Sequence, residues 1–535
     1  MNPKIFPIVL SASCIGASPI AIAGNDANDN ECDQTPNVRF KTNDIFDLND
    51  PDTIFLHYWA NFFHIKTKDI TLANESAFFI KKCNITQPDI DELERHLRKQ
   101  KYIREAKVTL SEDEKIDVET WDNWSLMPTV DFGRKGGINK YAIGIKDRNL
   151  LGLGIDAELE YFSNNQRTGY KFDTQFPLFL NENMTASIKL SSNDDGSSQA
   201  FFLKKDFVSF DTHQAYKLGF DNFNQIDTQF QNGLTVAQYK HDKSYSTAQW
   251  QWLFSDSSSE TLRYGIGYIR EKHEFSNIPL PTIVSSGFLP EDRDYQYPFI
   301  SIDYLQKNYR KLTNFNLINQ IEDFNLGWHV SGLIGRDFAN TMQSPTAIWQ
   351  MSFSKGMQTS DNGFLFFDGH FEGERISNSD SKDRTQLSFS TEYFHKFTDN
   401  WGGYFKNANT ISKPPFLDSP VALGDDSGVR GYPLNYQHGE RTTQFTLEAR
   451  YYPHINIYKL FELGGAAFID AGKAFGNSPV ANVNTSVLAS VGIGARFYST
   501  HSSDAQVIHL DLVKPLSTDT NVNGIEFRIT TKHSF

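Results

Sequence analysis

Gly428-Val429-Arg430-Gly431-Tyr432 and its later companion Phe468-Ile469-Asp470-Ala471-Gly472 decide how the rest of the chain is read. Gly424, Asp425, Asp426, Ser427 and Gly428 lead into the first stretch and Pro433 follows it, so it reads as a loop. The second lies inside an apolar run, Leu463 to Phe475, that reads as a strand. An arginine withdrawn from water needs a carboxylate fork, and Asp470 is one candidate. Glu448 is a second, set between Leu447 and Ala449 so that it too can point inward. Gly428 and Gly431 free the backbone to turn tightly. Tyr432 offers an aromatic body to pack on a wall while its hydroxyl stays wet. Alternation puts Phe468 and Asp470 on one face, an apolar platform beside the acid, with Gly472 leaving room for the loop. On these residues alone the simpler reading is an exposed loop arginine and a strand aspartate that never meet.

Working outward, 535 residues suit one large barrel plus a small domain. Aromatics make up 14% of the chain, with 44 Phe and 22 Tyr, yet the mean hydropathy is −0.47. A soluble enzyme rarely combines these. A membrane barrel does, because its lipid face alternates with a wet lumen and aromatic girdles mark both interfaces. A large soluble β-protein fits composition equally well. The net charge of −14, with no basic arm, argues against a nucleic-acid partner. Arg95, Arg98, Lys99, Lys101 and Arg104 read as the solvated face of a helix. Residues 1–23 read as a signal peptide, with Lys4, an apolar run to Ile22, and Ala21-Ile22-Ala23 before Gly24. Cys32 and Cys83 then remain, free to pair in an oxidising compartment, with a spacing unlike a zinc site. No later segment has ~18 consecutive apolar residues, so any crossing of a bilayer falls to strands.

Period-2 alternation recurs after Trp124. Ile155, Ala157, Leu159 and Tyr161 interleave with Asp156, Glu158 and Glu160; Tyr216, Leu218 and Phe220 with Lys217, Gly219 and Asp221; Phe324, Leu326, Trp328 and Val330 with Asp323, Asn325, Gly327 and His329. The polar face carries carboxylates, amides and glycines, as a wet lumen would. Residues 277–294, with three prolines, read as the longest outer loop. The chain ends on a strand with Phe527 and Phe535 on one face and Glu526, Arg528 and Lys532 on the other. Ahead of the barrel, 24–51 reads as a polar lead-in. Residues 52–121 then read as strand (Ile54 to Trp59), helix (Ile70 to Phe79), a second helix opened by Thr86-Gln87-Pro88-Asp89, and two strands.

The loop with Val429-Arg430-Gly431-Tyr432, followed by the strand with Phe468, Asp470 and Gly472, resembles the signature of the BamA/TamA-type superfamily of outer-membrane barrels. The β-α-α-β-β order of 52–121 resembles a single polypeptide-transport-associated (POTRA) domain, and "WSLMPTVDFGRKGGINKYAIGIKDRNLLGLG" resembles the entry into such a barrel. The terminal amphipathic strand resembles the signal by which outer-membrane barrels are recognised for assembly. The resemblance implies a membrane all-β fold, a sixteen-stranded transmembrane antiparallel barrel over residues 122–535 behind one small α+β POTRA domain. Alternation alone counts strands to within about two. The resemblance also implies that the chain inserts proteins into, or moves a polypeptide across, the bacterial outer membrane, with the small domain in the periplasm. Its partners would be outer-membrane lipid, a polypeptide client and periplasmic accessory proteins. Assembly machines of this type usually carry several POTRA domains, so one domain points to a specialised or accessory role.

No G-x-S-x-G or H-E-x-x-H occurs, and the fourteen histidines form no metal-spaced set. The expectation is neither catalysis nor a cofactor nor a metal. The rival readings are a passive solute porin, which would need neither the small domain nor the paired motifs, and a surface adhesin or antigen resting on the outer loops.

Overall fold

Three strands form the sheet of the small domain: β1 (Val38–Asn43) lies parallel to the central β3 (Ile116–Asp122), which pairs antiparallel with β2 (Ile103–Leu110). The computed structural model describes residues 38–82, 85–110, 116–179, 182–278, 288–318, 320–338, 345–376, 383–503, 506–517, 519 and 521–532. Residues 1–23, read as a signal peptide, and Cys32, Cys83, Phe535 and half of the long loop 277–294 lie outside them. Four helices accompany the sheet: α1 (Phe55–Phe63), α2 (Asp69–Glu75), α3 (Ala77–Ile80) and α4 (Gln87–Lys99). α4 begins as its sequence dictates: Asp89 Oδ2 accepts from the Thr86 backbone N–H at 2.9 Å, and proline stands in the first turn. Leu93 and Leu97, four apart, are fully buried with Leu72, Phe79, Ile103, Val108 and Val118. Truncating Leu97 to alanine would cost ~2–5 kcal/mol.

Two elements differ from the sequence reading. Val38–Asn43, placed in the polar lead-in, is the edge strand; its short alternation of Val38, Phe40 and Thr42 with Arg39, Lys41 and Asn43 carries too little apolar weight to stand out. Ile54–Trp59, read as a strand from its aromatic and branched residues, is the N-cap and first residues of helix α1.

The second body is a closed barrel, antiparallel throughout. Among the described residues its wall has twenty strands, where sixteen were expected. Fifteen precede the Arg430 loop and five follow it. The difference arises from short turns: 136–137, 194–195, 232–233 and 361–362 each join long strands with two residues, leaving chain for four more (20 − 16). A second departure is the alternating run 323–330. It is split at Leu326 and Gly327: Ile321–Asn325 pairs with Tyr309–Thr313 in a separate hairpin, and only Trp328–Gly335 enters the wall.

Along the middle of the wall, alternate residues face out and are mostly apolar. Val130, Ile143, Leu218, Ile300, Leu447, Ile469 and Leu512 are all more than half exposed. Their neighbours face inward and are charged or polar, as with Arg148 bonded to Glu158 and Lys171 to Glu158 and Glu160. A sheet with a greasy outside and a wet, ion-paired inside is stable when the outside meets lipid. Among the described residues no helix is long and apolar enough to cross a membrane. Among the described residues, the first wall strand (Leu126–Lys135) and the last (Glu526–Lys532) close the barrel through one ladder pair, Ile529 opposite Arg134. By contrast, the first and second strands pair without a break from Leu126–Asp147 to Lys135–Ile138.

Candidate functional site

The loop after the fifteenth wall strand turns back into the barrel. Val421–Leu423 pairs with Gln437–Gly439, and the segment between descends against the inner wall. Gly428 and Gly431 adopt φ of +115° and +86°, conformations that disfavour any side chain. Gly472 serves by absence: a Cβ there would sit 2.9 Å from Leu423 and 3.0 Å from Val429 of the loop.

At the bottom of the turn, Arg430 is 4% exposed. Its Nε donates to Asp470 Oδ2 at 2.6 Å, one Nη to Asp470 Oδ1 at 2.8 Å, and the other to Glu448 Oε1 at 2.9 Å. Its guanidinium lies 3.3 Å from the centre of the Phe468 ring. The sequence named Asp470 and Glu448 as candidate partners and Phe468 as a platform beside the acid, but not the seating of the guanidinium on that ring. Tyr432 differs in one respect. Its hydroxyl, expected to stay wet, is buried and donates to the Ala489 carbonyl at 2.9 Å, with Ser517 Oγ at the same distance. Phe527 faces outward on the last strand, 44% exposed.

The site is larger than the motifs indicated. Asp425, in the loop, accepts the Gly431 N–H at 2.8 Å and a fork from Arg528 of the last strand at 2.6–3.0 Å. Arg528 also donates to Asp511 at 2.8 Å, and Asp511 takes Arg496 at 2.6 Å. Arg450 donates to Glu448 at 3.1 Å. Four arginines and four carboxylates thus tie the loop to the last five wall strands, including the strand that forms the seam. Burying such groups adds little net stability, but leaving one without its partner is costly, so the network fixes a single loop position. The signal in the sequence was inward-facing Arg528 and Arg450; one chain does not say which carboxylate each meets.

The hairpin Tyr309–Thr313/Ile321–Asn325 was not foreseen as an inner element. It enters the lumen at the small-domain end between the tenth and eleventh wall strands. Phe315 stacks edge-on against Phe366 and Phe394 of the wall, and Ile318 is buried with Tyr452, Tyr498 and Val507 on the far side. The Phe315 carbonyl accepts from Arg450 at 2.9 Å, and the Asn314 carbonyl from the Tyr452 hydroxyl at 3.0 Å. Glu322 Oε1 accepts the backbone N–H groups of Phe315, Asn316 and Leu317 at 2.9–3.2 Å. Burial pushes the Glu322 carboxyl up to about 7, against the pull of those three donors. On its outer side the hairpin meets α4: Arg98 forks Asp323 at 3.0–3.3 Å, and Arg95 lies 4.1 Å over the Tyr309 ring. Burial also raises the pKa of Glu92 on α4, whose Oε1 accepts the Phe210 N–H at 2.8 Å. Among the described residues no group of three or more His, Cys, Asp or Glu is placed to hold a metal ion.

No family model matches the chain, and no curated protein matches it either. Among solved structures it is similar to CdiB from Escherichia coli, at 10% identity and a TM-score of 0.48, covering 93% of this chain and 76% of that one. It is also similar to BamA from Haemophilus ducreyi lacking POTRA domains 1–3, at 12% identity and 0.39, covering 93% and 84%. CdiB from Acinetobacter baumannii gives 12% and 0.42, covering 87% and 71%.

Proposed function

We propose that the chain is an outer-membrane barrel of the BamA/TamA type that inserts proteins into the membrane or translocates a polypeptide across it, in a specialised or accessory role. The observation that carries this reading is the Arg430 loop, folded into the lumen and forked by Asp470 with Glu448 as second partner. Two motifs far apart in sequence meet there as that superfamily's signature implies. The seam gives the site something to act on. The last strand is held by the loop through Arg528 and Asp425, yet among the described residues it meets the first strand at one ladder pair. A client entering as an added strand would find open backbone donors and acceptors on both seam edges. The small domain, read as a single POTRA domain in the periplasm, stands below the lumen with α4 against the inner hairpin. The porin reading fares worse, because the Arg430 loop and the inner hairpin both lie in the lumen where solute would pass. The reading assigns no catalytic step and no cofactor to the chain.

Photo-crosslinking in cells tests it, with the reactive residue at Lys99 on α4 and at Phe527 on the last strand. Trapping the same polypeptide from both positions is the expected result. Solute conductance with no trapped chain at either position would refute it.

A further inference from the structure

Helix α1 has the sequence Phe-Leu-His-Tyr-Trp-Ala-Asn-Phe-Phe and carries no acid, lysine or arginine. Only His57 and Ala60 are buried. Phe55 is 69% exposed, Trp59 62% and Phe62 81%, with Leu56, Tyr58, Phe63 and Ile65 also exposed. A water-facing helix of this composition would be an aggregation hazard.

The helix is held in place. The Ile54 N–H donates to His57 Nδ1 at 3.2 Å, which leaves Nε2 to donate to the Tyr458 carbonyl at 2.7 Å. The imidazole stacks on Phe46 at 4.3 Å, and Phe46 in turn meets His501 at 4.5 Å. Asn61 brackets the Phe46 backbone from both sides, at 2.8 and 3.1 Å. Ala60 packs with Ile45, Phe46, Trp124 and Leu460. Lys459 pairs with Asp50. One side of α1 is therefore clamped to the turns 452–460 and 500–503, which close the wall at the small-domain end beside the seam. The other side has no protein partner among the described residues.

Those turns lead straight into the outward face of the wall. Ile455 and Tyr458 are exposed in the turn, Tyr451 and Phe461 face out on the strands it joins, and Trp401 lies 4.7 Å from Tyr451 across the neighbouring strand. This is the aromatic girdle of that end, and the exposed side of α1 continues it. Trp, Tyr and Phe are the side chains that settle where headgroups meet acyl chains. A free interfacial helix presents charges on its opposite face; here that face is occupied by the barrel rim.

We propose that Phe55, Tyr58, Trp59, Phe62 and Phe63 form a lipid-binding surface, lying in the headgroup–acyl boundary of the leaflet on the small-domain side. The occupant is glycerophospholipid. The convex, charge-free ridge and its continuity with the girdle favour lipid over a docked protein. This rests on the barrel being membrane-embedded, and not on client transport.

The test places p-benzoylphenylalanine at Trp59 or Phe62 in the full chain, reconstituted in phosphatidylethanolamine–phosphatidylglycerol vesicles, and reads adducts by mass spectrometry. Leu447, on the outward wall, is the positive control, and Lys107, exposed on β2, the negative one. Phospholipid adducts at 59 and 62 comparable with those at 447, and none at 107, are expected. Adducts at 447 alone would overturn the α1 surface and leave the barrel in the membrane. Absence at 447 as well would overturn the membrane reading itself. In cells, a protein adduct at 62 in place of lipid would also overturn the proposal.

Discussion

Replacing Arg430 by alanine removes two hydrogen bonds to Asp470, one to Glu448 and the contact with the Phe468 ring. Asp470, fully buried, keeps the Thr446 hydroxyl at 2.9 Å and the residue-430 backbone N–H at 3.4 Å. Glu448 keeps Arg450. Stranding one member of a buried pair costs ~3–5 kcal/mol. At about 1.4 kcal/mol per tenfold change, the loop-out population rises by roughly two to nearly four orders of magnitude. Asp470→Ala costs less, because Arg430 still reaches Glu448. The double variant Arg430→Ala/Asp470→Ala is expected to be no worse than Arg430→Ala, since the stranded charge leaves with its partner. Arg430→Lys keeps the charge but not the fork and falls between. The assay is protease cleavage within 424–440 on barrels reconstituted in vesicles, where cleavage tracks the open population if opening is fast. Two single losses that add in the double variant would refute the shared contact, and so would an unchanged cleavage rate in Arg430→Ala.

Arg528→Ala, which takes the fork from Asp425, should raise cleavage of the same loop by ~10-fold or more, consistent with the loss of charged hydrogen bonds; an unchanged rate would remove the last strand from the network. Glu322 gives a pH dependence. Its folded pKa of about 7 lies above the ordinary 4.5, so its contribution to hairpin docking is full below about 4.5 and fades as pH rises through about 7. Hydrogen exchange of 314–325, corrected for intrinsic rates, should show less protection at pH 8 than at pH 5, and Glu322→Gln should abolish the difference. His501 runs the other way. Burial, then the Arg104 charge, push it down to about 3, so packing of Phe46 and α1 on the barrel weakens as pH falls from about 6.5 towards 3. His501→Phe should flatten the pH dependence of exchange at 45–61.

The contacts from the small domain to the lumen form one unbroken series: Arg98 to Asp323, Glu322 of the same strand to the backbone of 315–317, the Phe315 carbonyl to Arg450, Arg450 to Glu448, and Glu448 to Arg430. A peptide that displaced Arg98 or Arg95 from the hairpin would remove its outer support without touching the wall. Whether the hairpin then withdraws depends on its inner contacts, the Phe315 ring cluster above all. The physical test is whether Arg98→Ala changes loop cleavage at 424–440: a two-state hairpin transmits the loss, whereas a rigid one confines it to 307–327.

The barrel was legible because a sheet apolar on its outside and polar within writes its period into the sequence; Leu159, Leu447 and Phe527 each stand between polar neighbours. The Arg430 clamp was legible through the resemblance its two motifs carry; local chemistry offered only the candidates, with glycines where φ is positive and acids at Asp470 and Glu448. What was lost follows from physics too. Strand number is set by turn length, and a two-residue turn such as Asn232-Gly233 leaves almost no gap in an alternating pattern. The inner hairpin copied the wall pattern because Phe324 packs on lumen aromatics, so its apolar residues alternate just as lipid-facing ones do. The misreading of α1 has a related cause. A helix between water and protein shows a polar stripe, and that stripe separates it from a strand. With the barrel on one side of α1 and apolar exposure on the other, no stripe is needed, and nine residues dense in Phe, Tyr and Trp imitate a strand.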